Sequence, residues 1–244
     1  MAPGTAEPGE VTRLNEAFSI QIDSQRVARV AQINESTSPE YVASLLGLKR
    51  YNAAVSIHAG ASGATSDIIE ALRTLFNLEL APMASKYQIA VLDGGTDAGV
   101  IGMMGEARRI SKGTFPLIGV TPAEHALYPG GPKRGERSAL EPNHTHFALV
   151  SGGSWGVESR VLVNLGRALA FRRVALLING GEIVRREALM HARAGNDLLV
   201  LSGSGRVADE IVEGLNAVRP TIFCKKHWPW AGFKFVRLKR SRPI

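Results

Sequence analysis

Of 244 residues only one, Cys224, is cysteine. It has no partner for an internal disulfide, and thiolates alone cannot build a zinc site here, so a reducing compartment is expected. Long apolar runs are missing too. The longest, Val174 to Ile178, falls far short of the ~20 residues a membrane helix needs. The N-terminal MAPGTAEPGE lacks the basic start and apolar stretch of a secretion signal, and a cytoplasmic protein is expected. Neither a Walker lysine motif nor HExxH occurs, which excludes a P-loop ATPase and a zinc protease of that type. Acidic residues are absent from 225–244, which carry seven basic ones: Lys225, Lys226, Lys234, Arg237, Lys239, Arg240 and Arg242. The other 224 residues hold 22 basic and 22 acidic groups, so the net charge of +7 belongs to the tail and the body is formally neutral.

What is present reads as globular: 45% apolar and 21% charged residues rule out disorder and fibrous repeats. Residues 1–15 are rich in Gly, Pro and Glu and are expected to be unordered. Residues 17–50 suggest extended pieces at Phe18 to Ile22 and Val27 to Val30 and a short helix at Pro39 to Leu46. From Ala53 short apolar runs alternate with helical periods: Ala53 to His58, Ile89 to Leu92, Leu117 to Val120, Phe147 to Val150, Val174 to Ile178, Leu198 to Leu201 and Thr221 to Cys224. Runs apolar on both faces belong to strands covered on both sides. Helical stripes follow at Ile68, Ile69, Leu72, Leu75 and Phe76, at Val157, Val161, Leu165 and Leu169, and at Val207, Ile211, Leu215 and Val218. The fold class is therefore α/β: a doubly wound, Rossmann-like parallel sheet of about seven strands with helices on both faces. One domain spans 16–224. Between Pro122 and Asn143 a long loop replaces a crossover helix, and loops of that length tend to be functional.

Five runs end in glycines: GASG at 60–63, GGTDAG at 94–99, GGSWG at 152–156, GGE at 180–182 and GSG at 203–205. In a parallel sheet these bends gather on one rim, where Cβ-free backbone and helix N-termini suit a phosphate. The ligand-binding candidates are Gly60, Ser62, Gly94, Gly95, Thr96, Gly99, Gly152, Gly153, Ser154, Trp155, Gly156, Gly180, Gly181, Glu182, Gly203, Ser204, Gly205 and Arg206. GSGRVA at 203–208 fits the GxGxxA dinucleotide pattern, but it belongs to the last such unit and no acidic residue follows to hold a ribose. Any one bend can equally be ordinary turn chemistry. Trp155 can stack on a base or pack on the long loop. Arg185, Arg186, Lys133 and Arg134 can neutralise a diphosphate or form a solvated face. His144 and His146, near Glu141, lack a certain third ligand, so no metal site is assigned; one is expected to be packed and the other to approach the ligand. His58 reads as a strand-end contact.

DGGTDAGVIGMMGEARRISKGTFPLIGVTP at 93–122 resembles the first nucleotide-binding signature of the SLOG superfamily. VSIHAGAS at 55–62, GEA at 105–107, PNHTHFALVSGGSWGVES at 142–159 and LLINGGEIVRREALMHARAGNDLLVLSGSGRVADEI at 176–211 are similar, in order, to the N-terminal homology region of melastatin-type TRP channels. The resemblance implies a stand-alone prokaryotic-type SLOG protein that binds or senses a nucleotide-derived ligand: ADP-ribose, an NAD derivative or an adenine nucleotide. It implies homo-oligomers and no required cofactor. The LOG-type phosphoribohydrolases of the superfamily carry PGGxGTxxE, with a catalytic glutamate. Here SGGSWGVES inserts one residue, Val157 replaces the Thr, and Arg160 stands at the glutamate position. NHTHF before it lacks the arginine. That leaves Glu158, out of register, and Glu182 as the catalytic candidates for the alternative, a nucleoside 5'-monophosphate phosphoribohydrolase or NAD-cleaving hydrolase. A third reading takes the tail, with Trp228, Trp230, Phe233 and Phe235 among its cations, as a dock for an anionic membrane, nucleic acid being the less expected partner.

Overall fold

The computed structural model describes residues 14–60, 65–132, 136–218 and 234–238, with backbone alone for 215–218 and 234–238. Ser62, Lys133, Arg134, the strand expected at Thr221 to Cys224 and most of the basic tail lie outside the described residues.

The elements run β1 (Glu16–Gln21), β2 (Val27–Ile33), α1 (Pro39–Leu45), β3 (Ala53–Ala59), α2 (Ser66–Leu75), α3 (Ala81–Lys86), β4 (Ile89–Asp93), α4 (Gly99–Ile110), β5 (Leu117–Pro122), β6 (Ala126–Leu127), β7 (Ser138–Ala139), β8 (His146–Val150), α5 (Ser159–Leu169), β9 (Arg172–Ile178), α6 (Glu182–Arg193), β10 (Asp197–Ser202), α7 (Arg206–Val218) and β11 (Lys234–Leu238). Nine of the strands form one sheet in the order β1-β2-β8-β5-β4-β3-β9-β10-β11. The seven from β2 to β10 in that order are parallel; the two edges, β1 and β11, pair antiparallel. The parallel set holds six of the seven expected runs, β3, β4, β5, β8, β9 and β10, with β2 joining them beside β8. β11 draws part of the basic tail into the sheet.

Local sequence explains the pieces. Ser38 caps α1 by accepting from the Tyr41 amide at 3.2 Å, with Pro39 just inside. Ile68, Leu72 and Phe76 fall four residues apart and are buried. A π turn at Phe76–Leu80 joins α2 to α3 and keeps Leu80, Ala81 and Ala84 turned inward. Gly195, at φ +72°, follows the end of α6. On one face of the sheet α1 and α5 cover Ala31, Ala54, Leu92, Ile118 and Val150, while α6 and α7 cover Ala175, Leu177 and Val200. The other face packs Ile57, Val91, Leu117, Leu176 and Ile178 under α2, α3 and α4. Strands β4, β5, β8 and the C-terminal half of β9 therefore bury both faces, which is why their runs lack alternation.

The chain steps from β3 through β4, β5 and β8 in one direction, then returns to lay β9 and β10 on the other side of β3. The winding reverses between β3 and β9, and a crevice opens there at the strand C-termini. The long loop folds back toward it: β6 pairs with β7, Thr96 bridges Leu140, and Ala126 and Leu140 are buried with Phe18 and Phe147.

Candidate functional site

The crevice is a cavity of about 400 Å³, in the range of small-molecule sites. The end of β3 supplies Ile57 to Gly60, and the β4 bend supplies Gly94, Thr96 and Ala98. The long loop adds Ser138, the β8 side adds Trp155, Glu158 and Leu162, and the start of α6 adds Gly181 to Val184 and Glu187. The two bends at the switch touch: a Cβ on Gly60 would lie 3.0 Å from Gly180 Cα. No side chain caps the start of α6 or α4; in α4 the Ile101 amide donates to Ala98 O at 3.1 Å, while the first-turn amides of α6 are open to a ligand. The Arg206 guanidinium covers the β3–α6 junction, with Nη2 2.8 Å from where a Cβ of Gly181 would be and Nη1 3.4 Å from one on Gly60. Among the described residues it has no hydrogen-bond partner. Arg206 itself sits at φ +51°, a strained backbone for a non-glycine residue.

Three glutamates line the cavity, of which Glu182 is exposed and Glu158 and Glu187 are buried. Glu158 is buried and accepts from the Gly156 amide at 2.7 Å. Burial, with the nearby Glu187 charge adding to it, pushes its pKa above the usual carboxylate value. Glu187 accepts from Ser159 Oγ at 2.7 Å and bonds His58 Nδ1 at 2.8 Å. Burial alone would raise its pKa, but His58 and then Ser159 and Arg186 hold it below the usual value. Behind it, His58 Nε2 meets His191 Nε2 at 2.8 Å, Asn196 meets His191 Nδ1 at 2.7 Å, and Arg173 Nε donates to Asn196 Oδ1 at 2.7 Å. Burial, His58 and Arg173 lower the His191 pKa to about 3.

A second buried group lies under the β4 bend. His144 Nε2 meets Asp93 Oδ1 and Nδ1 meets Glu141 Oε2, each at 2.8 Å. Glu141 fills the space beside Gly105, where a Cβ would fall inside its carboxyl group. His146 points elsewhere, bonding Thr145 at the opposite, N-terminal end of the sheet and lining a separate cavity there. One histidine is packed, as expected; the other does not approach the crevice, because β8 begins at the pole away from the rim.

Gly60, Gly94, Thr96, Trp155, Gly181 and Glu182 meet in the cavity wall. Gly95, Gly99, Gly152, Gly153, Ser154, Gly156, Gly180, Gly203, Ser204, Gly205 and Arg206 are not part of that wall, although Arg206 covers its rim. The reasons are local. Gly95 packs on Gly119, its Cβ position 2.7 Å from that Cα, and Gly180 packs on Val184. Five bend amides are filled from within: Gly95 by Asp93, Gly152 by Glu124, Gly156 by Glu158, and Gly203 and Gly205 by Asp209, at 2.6 to 2.9 Å. Ser204 is buried, donating to Leu201 O and accepting from the Asn179 amide. The dinucleotide-like GSGRVA bend is thus closed by its own carboxylate, and of the five glycine bends those after β3, β4, β8 and β9 reach the cavity wall. Trp155 stacks on His125 of the long loop with centroids 4.7 Å apart. Arg185 pairs with Glu182 and Glu210; the Arg186 guanidinium lies 3.6 Å from the Cβ position of Gly156.

GGSWG also has the GxSxG spacing of a hydrolase elbow. Ser154, however, is exposed, is not at positive φ and bonds no histidine among the described residues, so it lacks what that elbow requires. Sequence reading missed Glu187, His191, Asn196 and Arg173. Their only sequence signal is polarity on the inward stripe of α6, at Glu187 and His191.

The family model described as SLOG in TRPM, prokaryote, matches residues 52–233. Transient receptor potential cation channel subfamily M member 2 of Mus musculus is 25% identical over 234 residues, covering 78% of this chain and 15% of the channel subunit. The Rattus norvegicus protein of that name gives the same figures. The match thus spans a small part of these curated relatives. Among solved structures, the X-ray structure of TM1055, a Northeast Structural Genomics Consortium target, superposes with a TM-score of 0.47 and 22% identity, covering 66% of this chain and 81% of that one. Among the described residues no helix is long and apolar enough to cross a membrane. With about three quarters of its length inside the family model, the chain belongs to the family SLOG in TRPM, prokaryote.

Proposed function

We propose that the crevice binds a phosphate-bearing nucleotide or nucleotide-derived ligand (an adenine nucleotide, an NAD derivative or ADP-ribose) and that the chain acts as a binding or sensing domain. The observation that carries this is Arg206: a guanidinium without a partner among the described residues, set over Gly181 at the uncapped start of α6. A helix N-terminus and a free guanidinium converging at the switch of a doubly wound sheet favour a phosphate. The test is mass spectrometry of small molecules released from the purified protein, followed by titration calorimetry with AMP and ADP-ribose. Arg206→Gln should weaken binding at least tenfold. Unchanged affinity in that variant, or no binding of either compound at millimolar concentration, overturns the proposal.

A second reading, cleavage of an N-glycosidic bond, is favoured by Glu158. A carboxyl group in the cavity wall whose pKa burial has raised can keep a proton for a departing base. Glu182 is exposed and paired with Arg185, which suits that role less. Release of free base from AMP, NAD or ADP-ribose, abolished in Glu158→Ala and retained in Glu182→Ala, would establish turnover; intact ligand after long incubation leaves binding alone.

A further inference from the structure

The carboxylate on the cavity floor is oriented from outside the cavity, and the direction of every hydrogen bond behind it is fixed. Arg173 has only donors, so Asn196 must turn its carbonyl toward Nε and its NH2 toward His191 Nδ1. His191 then carries its proton on Nε2 and donates it to His58 Nε2. His58 carries its proton on Nδ1 and donates it to Glu187 Oε2, while the Ser159 hydroxyl donates to Oε1. A second proton on His191 would set its Nδ1–H against the Asn196 NH2, in line with the low pKa of that ring. Ser159, His58, Glu187 and His191 are each at most 5% exposed. Burying this much polarity gives no stability that apolar side chains of the same size would not give. What it does give is an ionised carboxylate locked in one rotamer at the cavity wall, with a lone pair left on each oxygen.

We propose that Glu187 reads the hydroxyl groups of the ligand's sugar, accepting from the vicinal 2'- and 3'-hydroxyls of a ribose, with His58 and His191 as positioning residues. This rests on the nucleotide reading of the crevice. An acceptor-only group repels phosphate and selects donors, so it divides the site: phosphate toward Arg206 and the start of α6, hydroxyls toward Glu187. The sequence offered no acidic residue after GSGRVA to hold a ribose. The carboxylate comes instead from the second turn of α6, brought to the floor by the β9–α6 crossover.

The experiment compares AMP with 2',3'-dideoxy-AMP, which keeps the phosphate and the base amine, by calorimetry on the wild-type chain, Glu187→Gln, His191→Leu and Arg206→Gln. The wild-type chain should prefer AMP at least tenfold. Glu187→Gln should lose that preference while its affinity for the dideoxy compound stays within about twofold. His191→Leu should reduce the preference without abolishing it. A purely structural role would weaken both ligands equally. Nitrogen-15 NMR of the imidazoles should show the proton of His58 on Nδ1 and that of His191 on Nε2, whichever variants fold. Equal binding of both probes by the wild-type chain, or the opposite tautomers, overturns the role of Glu187 and leaves the crevice reading standing. If neither compound binds and Arg206→Gln changes nothing, both fall.

Discussion

His144 sits where no water reaches it, between two carboxylates, and a neutral ring could donate to only one of them. Burial by itself would lower its pKa; Asp93 and then Glu141 more than reverse this and raise it to about 9. An unfolded chain would release this proton near pH 6.5. Stability from His144 is therefore complete below about pH 6.5 and drains away as the pH rises through about 9, with an upper bound of roughly 3 kcal/mol. His191, lowered to about 3, and His146, lowered to about 4 by burial and by Arg29 and Arg108, act in the opposite sense. Their contribution is present above about pH 6.5 and is lost as the pH falls toward those values. Thermal unfolding of the wild-type chain from pH 5 to 10 should give a maximum near neutrality. His144→Gln should unfold at a lower temperature at pH 6.5 and should lack the decline between pH 7 and 9. A wild-type melting temperature that is level across that interval would show that the imidazolium is not what ties β4 to the segment before β8.

At the scale of elements, the bends after the strands look alike in sequence and differ in what fills them. Asp209, in the first turn of α7, closes the Gly203 to Gly205 bend by taking two amides, so it serves the helix terminus rather than a ligand. Asp209→Ala should cost about 1–2 kcal/mol in chemical denaturation and leave AMP affinity within about twofold; a large loss of affinity at unchanged stability would return that bend to the binding site. The strands themselves were legible because a doubly covered strand must be apolar on both faces, and six of the seven expected runs are β3, β4, β5, β8, β9 and β10. Strand order was not legible: that β9 returns beside β3 follows from which face each helix covers, a property of no single segment. The glycines were legible as bends, yet which amides stay open depends on carboxylates such as Glu124, 28 residues away from Gly152. Glu158 was discounted by motif register, but the α5 start places it in the cavity wall anyway. His58, His191 and Asn196 come from β3, α6 and the turn before β10, and only the sheet register brings them together.

For the whole molecule, the charge imbalance and the sheet share one segment. The C-terminal residues looked like an appendage because all the net charge lies there, yet Lys234–Leu238 runs antiparallel along β10, with Val200 opposite Val236. Two truncations separate the strand from the charge. Ending the chain at Leu238 removes Lys239, Arg240 and Arg242 and lowers the formal charge from +7 to +4, with every β10–β11 pair kept. Ending it at Cys224 removes the strand and leaves the N–H and C=O groups on the outer side of β10 without partners, an edge open to pairing with another chain. The shorter truncation should melt within about 2 °C of the full chain, because surface charge contributes little to stability. The longer one should melt several degrees lower and aggregate in a concentration-dependent way on light scattering, because its new edge is long and follows an apolar strand. If both truncations melt with the full chain and stay monodisperse, the sheet ends effectively at β10 and the basic segment is free for other work.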